Sequence, residues 1–350
     1  MSDNNTEADP GSTGPAPLLE FRDTTVAYRS ARGPVPAVRG VNLRLDAGET
    51  LGLAGESGSG KSTLALAVLR LLPSSATIGG QILLDGEDVA TMKWGRLRAV
   101  RWAQASVVFQ GAMHGLNPVR RICDQIAEPI VLHATATGAG VDKRVRQLLD
   151  QVGLPTRRAR AYPHELSGGQ RQRVMIAMAL ACDPKLVIAD EPTTALDVMI
   201  QAQVLDLLAD LVAERGVGLL MISHDLSVLA RTCQRLAVMY AGRIVEHGAA
   251  ADVVRDGRHP YTRALSGAFP TIGDLASRLA PRGLPGDPPD PAHLPSGCPF
   301  HPRCASALDE CAGTDVLLRP AGQDREAACV LVAESVDVAA QPLVVEEARP

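Results

Sequence analysis

Apolar and polar residues alternate from Leu18 to Tyr28 and again from Val41 to Leu45, which predicts two strands joined by a loop over Ser30 to Pro36. The wholly apolar run Leu51-Gly52-Leu53-Ala54 predicts a buried strand, and Leu64 to Leu72 a helix that stops at Pro73. Gly79 to Gly86 reads as a hairpin with an Asp-Gly turn. From about Thr91 to Pro163 the period becomes helical, with an Arg-rich amphipathic stretch at Trp94 to Trp102 and a second at Val141 to Val152. Strands return at Leu186 to Ala189 and Gly218 to His224, with a helical period from Val198 to Glu214 between them. Strand, helix, strand in this order predicts an α/β fold with a mostly parallel sheet and helices on its faces. Leu236 to Tyr240 and Arg243 to Glu246, joined at Ala241-Gly242, read as a closing hairpin. Met1 to Pro17 is polar and expected to be disordered, Pro281 to Pro295 is expected to be a linker, and an apolar, acidic tail follows.

Composition narrows the function classes. The chain has 350 residues, room for about two domains, and is 46% hydrophobic. A net charge of −4 supplies no general basic field for nucleic acid, and 3% aromatics leave little for base stacking. No apolar run reaches the ~18–20 residues that span a bilayer. The polar, acidic N-terminus lacks the pattern of a signal peptide. A soluble, cytoplasmic-type polypeptide is the expectation.

Between the Leu51 strand and the Leu64 helix lies Gly55-Glu56-Ser57-Gly58-Ser59-Gly60-Lys61-Ser62-Thr63, a phosphate-binding loop at every fixed position. Its glycines let backbone N–H groups and a helix N-terminus face phosphate. Lys61 is expected to reach the β- and γ-phosphates, and the Ser62 hydroxyl to ligate magnesium. The apolar strand Leu186 to Ala189 ends in Asp190-Glu191, an acidic pair at the carboxyl end of a parallel strand. Asp190 is placed to hold magnesium and Glu191 to polarise an attacking water as general base. His224 ends the next strand; alone, a histidine is more often structural, but this sheet edge faces the γ-phosphate. Leu166-Ser167-Gly168-Gly169-Gln170 opens the helical run Arg171 to Ala181 as a second anion cradle. A second cradle makes sense if it closes over a nucleotide held by another subunit. Tyr28, 27 positions before the phosphate loop, suits base stacking or ordinary strand-end packing equally.

These motifs together resemble the ATPase subunits of ABC transporters. Leu166 to Gln170 matches the family's signature motif, Gln110 in Val107-Val108-Phe109-Gln110 its Q-loop, and Leu186 to Glu191 its Walker B motif. Ala195-Leu196-Asp197 matches the D-loop and His224 the switch histidine, while Tyr28 falls where the family places its adenine-stacking aromatic. The resemblance implies a P-loop NTPase (RecA-like) core, an antiparallel β subdomain and a helical signature subdomain inserted at about 91–180, within an ATPase domain over 18–258. It implies magnesium held by Ser62, Gln110 and Asp190, catalysis by Glu191, Gln110 and His224, and an ATP site shared between two ATPase subunits. One subunit contributes Tyr28, Gly55, Ser57, Gly58, Ser59, Gly60, Lys61, Ser62, Thr63, Gln110, Asp190, Glu191 and His224. The other contributes Leu166, Ser167, Gly168, Gly169, Gln170 and Asp197.

Leu116-Asn117-Pro118, Thr194 to Val198, Met239 to Arg243 and His259 to Leu265 narrow the resemblance to the oligopeptide/dipeptide importers. The last opens that subfamily's C-terminal extension, here 259–350, with Cys298, Cys304, Cys311 and Cys329. Gly111-Ala112 departs from the usual Asp-Pro in a loop that faces the membrane subunits in the family. The implied partners are a second ABC ATPase subunit, two membrane permease subunits and an extracytoplasmic peptide-binding protein, at the cytoplasmic face of the membrane. A nickel importer shares nearly every motif. A soluble ABC ATPase acting on nucleic acid or ribosomes is the rival class, and a P-loop kinase leaves the signature motif unexplained.

The four C-terminal cysteines are separated by five, six and seventeen residues. Four thiolates suit tetrahedral zinc or an iron–sulfur cluster, and the absence of close C-x2–4-C pairs favours a cubane over zinc. The subfamily resemblance implies the same 4Fe–4S cluster, with zinc and plain thiols as alternatives. His301 is read as a turn residue that could ligate instead.

Overall fold

The computed structural model describes residues 16–111, 115–194, 196–268 and 284–332. The N-terminal tail up to residue 15, the Ala112 and Ala195 positions, the start of the Pro-rich segment and the acidic tail lie outside these residues.

Two sheets organise the chain. Strands β1 (Leu19–Ser30), β2 (Gly33–Leu45), β4 (Ala76–Leu84) and β5 (Glu87–Asp88) form an antiparallel sheet in the order β2-β1-β4-β5. The second sheet contains β3 (Thr50–Ala54), β6 (Ala105–Val108), β7 (Leu186–Asp190), β8 (Gly218–Ser223), β9 (Arg235–Tyr240), β10 (Arg243–Ala249), β11 (Arg319–Pro320) and β12 (Glu326–Ala327). Its order is β11-β12-β10-β9-β3-β8-β7-β6, and the run from β9 to β6 is parallel. The helices are α1 (Lys61–Ala67), α2 (Trp94–Val100), α3 (Ile122–Leu132), α4 (Ala139–Gln151), α5 (Gly168–Ala179), α6 (Val198–Arg215), α7 (Leu226–Thr232), α8 (Ala250–Arg255) and α9 (Pro260–Ala268).

The central strands are mostly apolar because both faces are covered. Along β8, Leu220 and Ile222 join a core with Leu53, α1 and the antiparallel sheet, through Leu64, Phe21 and Ile82. Leu219 and Met221 face the other way, into a core shared with Ile126 of α3, Leu148 of α4, Ile176 of α5 and Leu229 of α7. This two-sided burial is what holds the carboxyl ends of β3, β7 and β8 in one rigid row.

Four details differ from the sequence expectation. The predicted loop over Ser30 to Pro36 shrinks to Ala31-Arg32, because Ser30 Oγ donates to Gly33 O at 2.7 Å and accepts from Arg32 N at 3.2 Å. Pro34 and Pro36 then lie in β2, an edge strand, where a missing N–H breaks no ladder bond. Helix α1 starts inside the phosphate loop and ends at Ala67, with Arg70 in the left-handed region (φ 49°) and Leu71 N bonded back to Leu66 O. The helical stretch is interrupted by β6, four residues too short for periodicity to separate from helix. Finally, Pro288, Pro289, Pro291 and Leu294 of the expected linker pack beside Pro36 and Glu56 to Ser59 of the phosphate loop.

Candidate nucleotide site

The phosphate loop takes backbone conformations that only glycine accommodates here. Gly55 (φ 150°) and Gly60 (φ 106°) each lie where a Cβ would come within 2.3 Å of a carbonyl oxygen, from Met239 and Ala37 respectively. The loop delivers the chain into α1, so Lys61 stands at the helix's first position. Its side chain is 5% exposed, and its ammonium donates to Gly55 O and Glu56 O, both at 2.7 Å. Burial lowers the Lys61 pKa, opposed by the carboxylates of Glu191, Asp190 and Glu56. The cation is thus tied back to its own loop.

Ser62 Oγ donates to Asp190 Oδ1 at 3.0 Å, linking α1 to the end of β7. Burial raises the Asp190 pKa, partly offset by the Ser62 bond and by Lys61. A hydroxyl and a carboxylate meeting at this distance are hard oxygen donors that fit magnesium. Glu191 follows with φ 42°, turned out of the strand, its N–H donating to Ile222 O at 3.1 Å. Its Oε2 accepts from Gln110 Nε2 at 3.1 Å and from Thr194 Oγ1 at 2.9 Å, while Oε1 lies 3.5 Å from His224 Nδ1. The ends of β6, β7 and β8 therefore converge on one carboxylate.

These groups line a single cleft of about 740 Å³ containing Gly55 to Gly58, Gly60 to Thr63, Gln110, Glu191 and His224. Asp190 lies beneath it through Ser62. Tyr28 is half-buried beside the same loop, and its hydroxyl is 3.1 Å from Thr63 Oγ1.

Leu166 to Gln170 and Asp197 lie outside the cleft lining. Ser167 caps α5, accepting from Gln170 N at 3.3 Å while Gln170 Oε1 accepts from Ser167 N at 3.1 Å. Asp197 caps α6 in the same way, accepting from Ile200 N at 3.1 Å. The two motifs pack together: a Cβ on Gly168 would meet Leu196 at 3.0 Å, and one on Gly169 would meet Ile200 at 2.5 Å. The structure therefore sorts the predicted residues into two groups, a phosphate cleft and a separate capped-helix surface.

The four C-terminal cysteines line one small cavity together with Pro260, His301 and Val316. Burial raises the thiol pKa values of Cys298, Cys304 and Cys329, and the neighbouring thiols push the same way. His301 Nδ1 bonds Cys298 O at 2.9 Å within its turn. Among the described residues, no three His, Cys, Asp or Glu side chains gather closely enough to hold one metal ion. That spacing fits a single zinc poorly.

Sequence reasoning missed a layer of support. Glu56 is held by Arg303 and by Tyr261, two residues from the far end of the chain. Their only sequence signal is their place within the two C-terminal motifs.

Comparison with known proteins shows the family. The sequence pattern of the ABC transporter family matches residues 38–194, and that of the oligopeptide/dipeptide transporter C-terminal region matches 245–311. The oligopeptide transport ATP-binding protein OppD of Salmonella typhimurium is 45% identical over 296 residues, 84% of this chain and 88% of that protein. Its Escherichia coli counterpart is 44% identical over 302 residues, covering 86% and 89%. OppD of Mycobacterium tuberculosis is 47% identical over 320 residues, 90% of this chain, but this chain spans about half (52%) of the mycobacterial protein's length. Among solved structures, a dimeric post-hydrolysis state of the ATP-binding cassette MJ0796 bound to ADP and phosphate superimposes with a TM-score of 0.60. It is 29% identical and covers 67% of this chain and 99% of the other. The chain belongs to the ABC transporter family, in the branch of oligopeptide transport ATP-binding proteins.

Proposed function

We propose that this chain is the ATP-hydrolysing subunit that energises peptide import through an ABC transporter. The carrying observation is the meeting of Gln110, Glu191 and His224 directly above the Lys61–Ser62 cleft floor. Glu191, fixed by Gln110 and Thr194, abstracts the proton of the attacking water, and Lys61 stabilises charge on the phosphates. Ser62, Gln110 and Asp190 would hold magnesium, which neutralises phosphate charge when bound.

The signature residues sit outside the cleft, so a second ATPase subunit would supply Ser167 to Gln170 and Asp197 to complete it. Exposed Val198 (78%) and Met199 (71%), next to Asp197, suit that contact. Exposed Phe109 and Val119 flank the Gln110 loop and suit docking on the two permease subunits. An extracytoplasmic peptide-binding protein would deliver the substrate. Among the described residues no helix is long and apolar enough to cross a membrane, which suits a peripheral subunit on the cytoplasmic face. Peptide as cargo is supported by the match of residues 245–311 to the oligopeptide/dipeptide transporter C-terminal region. In vesicles holding the full transporter, peptide-loaded binding protein should raise phosphate release and drive peptide uptake. Stimulation by nickel instead of peptide, or none, would reject this cargo.

The cysteine cavity would hold a 4Fe–4S cluster. The test is iron, acid-labile sulfide and zinc content after anaerobic purification. About four irons and four sulfides per chain are expected, and one zinc or no metal would remove the cluster.

A further inference from the structure

The phosphate loop's second residue is held from outside the ATPase core. Glu56 has three polar groups, and each has a fixed partner. Its carbonyl accepts from Lys61. Its N–H donates to Tyr261 Oη at 2.8 Å. Its carboxylate is clamped by both terminal nitrogens of Arg303, at 2.7 and 2.9 Å.

Arg303 immediately precedes Cys304 and is itself held at all three guanidinium nitrogens. Its Nε donates to Pro285 O at 2.8 Å, and Nη1 also reaches Tyr240 Oη at 3.3 Å. The side chain is 7% exposed. Tyr240, Tyr261 and Phe300 form an aromatic cluster behind it, with ring centroids 4.5–5.3 Å apart. A planar bidentate pair held this way admits little sideways motion.

Glu56 is an anomaly for a loop that must receive a polyanion. Glu56 lines the phosphate cleft, where an unneutralised charge would repel the ligand. We propose that Arg303 is a positioning residue of the nucleotide site, cancelling the Glu56 charge and fixing the first turn of the phosphate loop. The cysteine-lined loop thereby sets nucleotide affinity without touching nucleotide. This rests on the nucleotide-binding reading of the cleft.

The test measures binding of a fluorescent ATP analogue, its displacement by ATP, and KM and kcat for ATP, on the full chain in its assembly. Arg303→Met keeps the apolar stem and leaves Glu56 charged, and should weaken ATP binding and raise KM about tenfold with kcat changed less than about twofold. Adding Glu56→Gln to that variant removes the repelling charge and should restore most of the affinity. Arg303→Lys keeps the charge without the fork and should fall between wild type and Arg303→Met. Unchanged binding in Arg303→Met overturns the proposal. So does a double variant no better than the single one, because a purely structural contact would not be rescued by losing its partner. If Arg303→Met does not fold, Arg303→Lys binding within about tenfold of wild type supports charge cancellation, and a greater loss overturns it. A wild-type chain that binds no ATP would instead reject the nucleotide reading itself.

Discussion

Gln110 Nε2 donates to Glu191 Oε2 across 3.1 Å, joining the end of β6 to the end of β7. The bond leaves Oε1 of the same carboxylate facing His224. One oxygen is thus committed to positioning, and the other is available for a proton. Glu191→Gln keeps the shape and removes the base, so ATP turnover should fall by about 10²–10⁴ with ATP binding retained. Phosphate release and equilibrium ATP binding, measured on one preparation, check both halves. Turnover within a few-fold of wild type would assign the base elsewhere.

Ser62 and Asp190 define a second pair whose partners come from α1 and β7. Ser62→Ala removes one hard donor and the bond that offsets Asp190 desolvation. The expected result is a several-fold higher magnesium requirement for ATP hydrolysis, on the order of a lost charged hydrogen bond. A magnesium titration of ATPase rate reads it directly, and an unshifted midpoint counts against Ser62 as a ligand.

Glu246 is fully buried on β10 and pairs with Arg325, which is 7% exposed. Its oxygens also accept from Arg258 N and His259 N, both at 2.8 Å. Arg325→Ala strands a buried carboxylate and should cost ~3–5 kcal/mol. Thermal or urea unfolding gives the number. Glu246→Gln combined with Arg325→Met should recover much of it, because no lone charge remains.

His259 is buried, its Nδ1 accepts the Tyr261 N–H at 3.0 Å, and burial lowers its pKa to about 4. The unfolded chain takes up this proton near pH ~6.5, so between the two values only the unfolded state is protonated. Stability from this site is full above pH ~6.5 and declines as pH falls toward about 4. Unfolding free energies of wild type and His259→Asn from pH 4 to 7 should converge as pH drops. A constant difference would reject the assignment.

The sequence announced the cleft better than its support. The phosphate loop, Asp190-Glu191 and His224 were legible because short motifs beside apolar strands fix their own local geometry. The hairpin at Asp85-Gly86 was legible for the same reason, and Leu84 pairs with Glu87 across it. β6 was not, since Ala105 to Val108 carries no period longer than itself, and only its pairing with β7 makes it a strand. The Ser30–Gly33 turn was hidden because Pro34 and Pro36 suggest loop unless the strand is known to lie at an edge. The Arg303 clamp spans 247 residues of chain, a separation that no local pattern encodes.

The pairing of β12 with β10 has a consequence for how the chain can be divided. Glu246 and His247 align with Ala327 and Glu326, and Ala328 N donates to Val245 O at 2.8 Å. The extension therefore seals the rim of the sheet that would otherwise offer open backbone groups to any passing strand. A fragment ending at 268 would keep Gly55 to Thr63, Gln110, Asp190, Glu191 and His224 and still lack its lid against self-association. Cutting the chain there would forfeit solubility together with the Arg303 clamp on Glu56.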